Sequence, residues 1–129
     1  MIQLHNAADV TGRILLAAIF ILAGFGKITG YEGTAAYMAS QGVSTQLLPL
    51  VILLEIGGGL AIVLGLFTRL MALALAGFSI ASALLFHFNL ADQMQFILFF
   101  KNLAMAGGFL LLAVHGAGAW SLDARRGQP

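Results

Sequence analysis

The sequence predicts an all-α integral membrane protein, a bundle of four membrane-spanning helices within a single domain, residues 1–129. Of its residues, 60% are hydrophobic and only 9% are charged, and the mean hydropathy of +0.99 is far above that of soluble domains. Apolar runs long enough to cross a bilayer occupy approximately residues 13–28, 47–67, 70–90 and 96–115. Each run ends at polar residues or glycines, so we interpret each as one span.

Sequence features between the runs predict how the spans are connected. The first run follows Arg13 and ends at Lys27 without a small-residue cleavage pattern, so it is interpreted as a retained span rather than a signal peptide. Residues 29–45 are less apolar and carry Tyr31 and Tyr37, whose rings favour the membrane surface. We therefore predict a short interfacial helix between spans one and two, which caps the mouth of the bundle.

The distribution of arginines predicts the orientation in the membrane. An even number of spans places both termini on one side, and four arginines then fall together there: Arg13, Arg69, Arg125 and Arg126. The opposite side has Lys27 at a helix end. Because cytoplasmic flanks of spans are enriched in Lys and Arg, both termini are predicted to be cytoplasmic. Arg13 and Arg69 are accordingly assigned structural or topological roles.

Charge and residue usage exclude several function classes. A net charge of +1 is too small for the basic surface that nucleic-acid binding requires, so no nucleic-acid partner is expected. The absence of cysteine excludes disulfide exchange, iron-sulfur clusters and thiolate zinc sites. His87 and His115 are separated by about 25 Å in depth, at 1.5 Å per helical residue, so they cannot ligate one haem. No metal or haem is therefore expected.

The polar residues inside the spans are predicted to meet at one depth. Glu55 lies near the middle of span two, and an intramembrane carboxylate is costly enough to require a partner inside the bundle. Helical rise places Glu55 about 12 Å from the outer end of its span, Lys101 and Asn102 about 8 to 10 Å from theirs, and Lys27 and His87 within about one turn. We predict an ion pair of Glu55 with Lys101, Lys27 or both. Lys101 is the preferred partner because its depth is closer.

This cluster has two interpretations. Buried ion pairs can serve only to fix the register of packed helices. Alternatively, the excess of donors over one carboxylate suits an electron-rich oxygen, such as a quinone carbonyl or a small anion. Under the second interpretation, Glu55 and His87 are candidate catalytic residues that handle protons. The candidate ligand-binding residues are Lys27, Lys101 and Asn102.

Six segments together resemble the DoxX family of small bacterial membrane proteins. They are GRILLAAIFILAGFGK in span one, YMASQGV before span two, LLEIGGGLAIVLGLFTRL across it, FHF, KNLAMAGGFLLL in span four, and HGAGAWSLD after it. The order of charged and polar residues along the chain makes the set specific. The resemblance implies a four-helix, multi-pass protein of the bacterial inner membrane. It also implies an association with quinone-linked oxidase or thiosulfate:quinone oxidoreductase systems.

Two functions from different classes follow. The first is a membrane-embedded subunit of a quinone-linked oxidoreductase system, with quinone as the expected cofactor. The second is a non-enzymatic membrane scaffold or assembly factor that recruits a redox or other protein. A homo-oligomer also stays open, since Gly57 with Ala61, and Ala104 with Gly108, have the spacing that permits close helix contact. The bilayer is the one partner that both functions require.

Overall fold

The structure is a computed structural model that describes residues 1–127. Its secondary-structure elements in that range are all helices. Four helices are long and apolar enough to cross a membrane, and no strand occurs in residues 1–127. This confirms the predicted all-α membrane bundle. The helices are α1 (Ile2–Thr29), α2 (Tyr31–Ser40), α3 (Thr45–Leu64), α4 (Thr68–Phe86), α5 (Gln93–His115) and α6 (Leu122–Arg125).

Helix α1 begins earlier than the hydropathy predicted. The span was expected at 13–28, but the helix already starts at Ile2 and has 28 residues. Residues 2–12 contain no proline and continue the helix beyond the apolar run. At 1.5 Å per residue the helix is about 42 Å long, more than the roughly 30 Å hydrocarbon core, so its first turns extend out of the membrane.

Helix α2 is the predicted short helix between spans one and two. It runs from Tyr31 to Ser40, and the backbone N–H of Gly30 before it closes α1 by donating to the carbonyl of Gly26 at 2.9 Å. Tyr37 stacks on Phe86 of α4, with 5.5 Å between ring centroids. This contact holds α2 against the end of α4. We name this end of the bundle the α2 end.

Helix α3 changes its winding at the glutamate. Ser44 caps its first turn by accepting the N–H of Gln46 at 3.3 Å, and Pro49 lies in the first α-helical turn. Residues Leu54–Gly58 form a π-helical turn, after which the α-helix resumes at Gly59. Single π turns inside α-helices occur frequently at functional sites. Glu55 lies in this turn.

Close contact between α1 and α3 depends on two glycines. A Cβ at Gly59 would lie 2.7 Å from Cγ1 of Ile21, and one at Gly24 would overlap Ile56. The two helices therefore approach at distances that only a residue without a side chain permits. Helices α4 and α5 form the other closely packed pair.

The core of the bundle is aromatic at its centre. Phe20 of α1 makes edge-to-face contacts with Phe109 of α5 and Phe78 of α4, at centroid distances of 5.4 Å and 6.3 Å. Small residues such as Ala17 and Ala76 fill the space between helices. Leucines and phenylalanines elsewhere, including Leu22 and Leu111, are exposed on the outer faces. A bundle with this apolar exterior requires lipid around it.

Candidate functional site

The intramembrane carboxylate is paired with the lysine at the end of α1. The Nζ atom of Lys27 lies 3.0 Å from Oε1 of Glu55 and donates a hydrogen bond to Oε2 at 3.2 Å. The Glu55 side chain is 4% exposed and that of Lys27 is 27% exposed. The ion pair is therefore buried on its acidic side and open on its basic side.

The preference for Lys101 as the partner of Glu55 was wrong. Depth along the helix axes is similar for the two residues, but depth does not report the direction in which a side chain leaves its helix. Helix α3 packs on α1 through the π turn, whereas α5 packs chiefly on α4. Lys101 is exposed. The flexible stem of Lys27 reaches down to the carboxylate instead.

All five residues predicted to form the site nevertheless line one small cavity, which we name the polar chamber. It has a volume of about 160 Å³ and lies between α1, α3, α4 and α5. Its polar lining consists of Lys27, Glu55, Ser79, Ser82, His87, Lys101 and Asn102. The prediction that these helices contribute to one level is thus consistent with the structure.

Two serines of the polar chamber were not recognised from the sequence. Ser79 and Ser82 lie three residues apart in the apolar run of α4, so they face the same side of the helix. That spacing was the available signal. Ser79 is buried and donates to the carbonyl of Leu75 at 2.8 Å. Ser82 is half-buried and also lines the larger cavity described below.

The ring of His87 is oriented by a glutamine from the next helix. Nδ1 of His87 lies 2.8 Å from Oε1 of Gln95, in the first turn of α5. A carbonyl oxygen can only accept, so in this arrangement Nδ1 carries the proton. In the neutral ring, Nε2 is then an acceptor. His87 therefore offers a lone pair to a ligand hydroxyl.

Two more polar groups have unused hydrogen-bonding capacity. Oε1 of Glu55 is buried and receives no hydrogen bond from residues 1–127, although the charge of Lys27 is close. Asn102 is 6% exposed, and its side-chain amide forms no hydrogen bond within the described part of the chain. Because buried polar groups normally have partners, the amide of Asn102, which lines the chamber, is available to a bound molecule, whereas Oε1 of Glu55 is held by the charge of Lys27.

A larger cavity of about 540 Å³ adjoins the polar chamber. The two share Lys27, Glu55, Phe78, Ser82 and His87. We name it the main cavity. Helix α2 forms its cover through Tyr37 and Met38. This volume is in the range of small-molecule sites, which are mostly apolar with a few placed polar groups.

Arg13 and Arg69 lie at the end of the bundle opposite α2 and have structural contacts. Arg13 is 2% exposed and donates to the carbonyls of Ile62, Val63 and Trp120 at 3.2, 3.0 and 2.6 Å. Arg69 donates to the carbonyls of Ala113 and Val114 at 3.3 and 2.7 Å. The arginines thus bond to carbonyls in the last turns of α3 and α5, and Arg13 also joins Trp120 to α3.

Asp123 is a structural residue that sequence reasoning missed. Its carboxylate accepts hydrogen bonds from the backbone N–H groups of Phe67 and Thr68 at 2.7 and 2.8 Å. These bonds join α6 to the start of α4. Phe67 has a left-handed φ of 49°, which this contact holds. Burial alone raises the pKa of Asp123, but the hydrogen bonds from Thr68 and Phe67 and the charge of Arg126 outweigh it, so the pKa is lowered.

The fold and site define a small multi-span membrane protein with a polar chamber between its helices. The sequence model of the DoxX family matches residues 8–88, and the chain belongs to that family. It is 53% identical over 123 residues to "Inner membrane protein YqjF" of Escherichia coli strain K12, covering 95% of both chains. It is 40% identical over 120 residues to "Inner membrane protein YphA" of the same strain, covering 88% of this chain and 86% of the relative.

These comparisons establish the location of the protein. Both relatives are inner membrane proteins, and this chain has four candidate membrane-spanning helices, so it is a multi-pass protein of the bacterial inner membrane. No solved structure matches the chain.

Proposed function

We propose that the protein binds a quinone, or a similar small electron-rich molecule, in the polar chamber, as a membrane-embedded subunit of a quinone-linked oxidoreductase system. The observation that carries the proposal is the convergence of donors and acceptors there from three different helices. Lys27 and Asn102 supply donors, and Nε2 of His87 supplies an acceptor. A quinone carbonyl needs the former and a quinol hydroxyl needs the latter.

The roles of the individual residues follow from their positions. Lys27, with its partly exposed ammonium group, and Asn102 are proposed to donate to a ligand oxygen. Lys101 lines the same chamber from the exposed side and adds positive charge at its rim. Glu55 and His87 are proposed to exchange protons with the ligand, since both are titratable side chains that line the chamber.

The direct test is binding of a benzoquinone to the purified protein in lipid nanodiscs, measured by equilibrium dialysis. A hydrogen bond to a charged group is worth about 1.5–3 kcal/mol, so Lys27→Met should weaken binding about 10- to 150-fold. His87→Gln should weaken binding of the reduced form more than that of the oxidised form. His115→Gln is the matched control, because His115 lies at the far end of α5 and does not line the chamber.

The same experiment separates this proposal from the alternative of a non-enzymatic scaffold or assembly factor. Binding that is lost in the Lys27 and His87 variants and retained in the His115 variant supports a ligand site. Absence of binding to the unchanged protein, together with a stoichiometric protein that co-purifies from native membranes, would support the scaffold. A redox protein as that partner would be compatible with both.

A further inference from the structure

A third cavity continues the main cavity toward the lipid. It has a volume of about 260 Å³ and lies between α3 and α4. It shares Met38, Val51, Phe78, Ser82 and Phe86 with the main cavity, so the two form one path. Apart from Ser82 its side chains are apolar. We name it the lateral slot.

The lateral slot opens on the outer face of the bundle. Leu47, Leu50 and Leu85 line it, and they are 46%, 62% and 52% exposed. In the membrane that face contacts lipid tails. The path therefore runs from the charged pair of Lys27 and Glu55 through the covered main cavity to the hydrocarbon.

We propose that the lateral slot holds the hydrophobic tail of the ligand whose polar head occupies the polar chamber. The proposal rests on the function proposed above and narrows its ligand to an amphipathic molecule with a linear apolar tail. Continuity of the path favours this occupant over a separate lipid. A head held at Lys27 has a continuous route for its tail past Phe78 and Phe86 into the slot, since both side chains line the two cavities.

The lateral slot is expected to control whether a tailed ligand can enter the protein, more than how tightly that ligand binds. Moving an alkyl tail from lipid into an apolar slot gains little hydrophobic free energy, since both surroundings are apolar. Blocking the slot should instead exclude tailed ligands by steric overlap. Ala81 is the residue to enlarge, because it is small, exposed and lines the slot. A tryptophan there would occupy the opening, whereas it would not reach the polar chamber.

The test compares Ala81→Trp with Leu84→Trp, a change on the lipid-facing side of the same helix outside the slot. Binding of a decyl-tailed benzoquinone and of its tail-less head group is measured in nanodiscs. We expect Ala81→Trp to weaken binding of the tailed compound at least tenfold and to leave the tail-less compound unchanged. Leu84→Trp should leave both unchanged.

The other outcomes contradict either the tail site or the proposed function. If Ala81→Trp leaves both compounds bound as in the unchanged protein, the slot is not the tail site and the head-group site stands. If neither compound binds the unchanged protein, the proposed function fails and this inference fails with it. Mapping with a tail-end photoreactive group is the second measurement. Labels should concentrate at Leu50, Leu54 and Leu85, and labels spread over all lipid-facing helices would indicate ordinary surrounding lipid and overturn the proposal.

Discussion

Removing the charge of Lys27 should destabilise the bundle more than removing the charge of any exposed lysine. With Nζ and Oε1 separated by 3.0 Å, the attraction is about 5.5 kcal/mol at an effective dielectric constant of about 20. Desolvation of the carboxylate, whose side chain is 4% exposed, offsets much of this. Lys27→Met leaves that carboxylate buried and unpaired, so the cost should approach the roughly 3 kcal/mol typical of a broken buried pair.

Removing the charge of Glu55 instead should lower the free energy of unfolding by a smaller amount. Glu55→Gln leaves a lysine whose side chain is already 27% exposed and can turn toward water, so we expect a loss of about 1–2 kcal/mol. The double variant has neither charge, and its loss should be smaller than the sum of the single losses by about 1–3 kcal/mol. The free energy of unfolding in detergent, from denaturation titrations, measures all three variants.

Lys101 provides the matched control for this cycle. It lines the same chamber but is exposed and forms no ion pair with Glu55 in the described structure. Glu55→Gln and Lys101→Met should therefore be additive within about 0.5 kcal/mol. Additivity of the Lys27 pair, or strong coupling of the Lys101 pair, would refute the assignment of the ion pair.

Three further predictions concern the rest of the bundle. The pKa of Asp123 in the folded protein is below its unfolded value of about 3.9, so the ionised carboxylate stabilises the fold fully above a pH of about 3.9. This stabilisation is lost as the pH falls through the folded pKa. Asp123→Asn should remove this acid dependence from unfolding titrations. Gly59→Ala should cost about 1–3 kcal/mol by overlap with Ile21, whereas Gly57→Ala, whose Cβ would meet nothing closer than 3.9 Å, should be near neutral in the same assay. A C-terminal alkaline phosphatase fusion should be inactive, because both termini are predicted to be cytoplasmic; an active fusion would reverse the orientation.

Hydropathy was sufficient to predict the four spans but not their ends. The apolar run of span one begins after Arg13, yet the helix begins at Ile2 because nothing in residues 2–12 breaks it. The π turn at Glu55 could not be predicted from apolar periodicity, since it reflects local winding against α1. The short helix α2 was predictable because two tyrosines and low charge mark an interfacial segment.

That the intramembrane polar residues lie close together could be predicted, but which of them form the ion pair could not. The distance of each residue along its helix axis placed five polar residues at a similar depth in the membrane. All five line the polar chamber: Lys27, Glu55, His87, Lys101 and Asn102. Choosing a partner required the packing order of the helices, which depth does not contain. The contact of Asp123 with the start of α4 joins residues that are 55 positions apart, and no local pattern specifies such a contact.

The two ends of the bundle use their charged residues differently. At the end opposite α2, Arg13 and Asp123 bond to backbone groups and complete helix ends. At the α2 end, Lys27 and Glu55 bond to each other and His87 bonds to a side chain, while all three line cavities. Charges of the first kind are explained by stability alone. Those of the second kind line the cavities in which a ligand is proposed to bind.

The doubly neutral variant, Lys27→Met with Glu55→Gln, distinguishes a ligand site from a device that only fixes helix register. Replacing a buried ion pair by uncharged groups of similar volume is often nearly neutral for stability. If the pair only sets register, the double variant should lose its unique packing, seen as broadened amide resonances in a labelled sample. If the pair serves a ligand, the double variant should stay uniquely folded and lose benzoquinone binding at least tenfold. A well-ordered double variant that binds as tightly as the unchanged protein would contradict the proposed role of the pair.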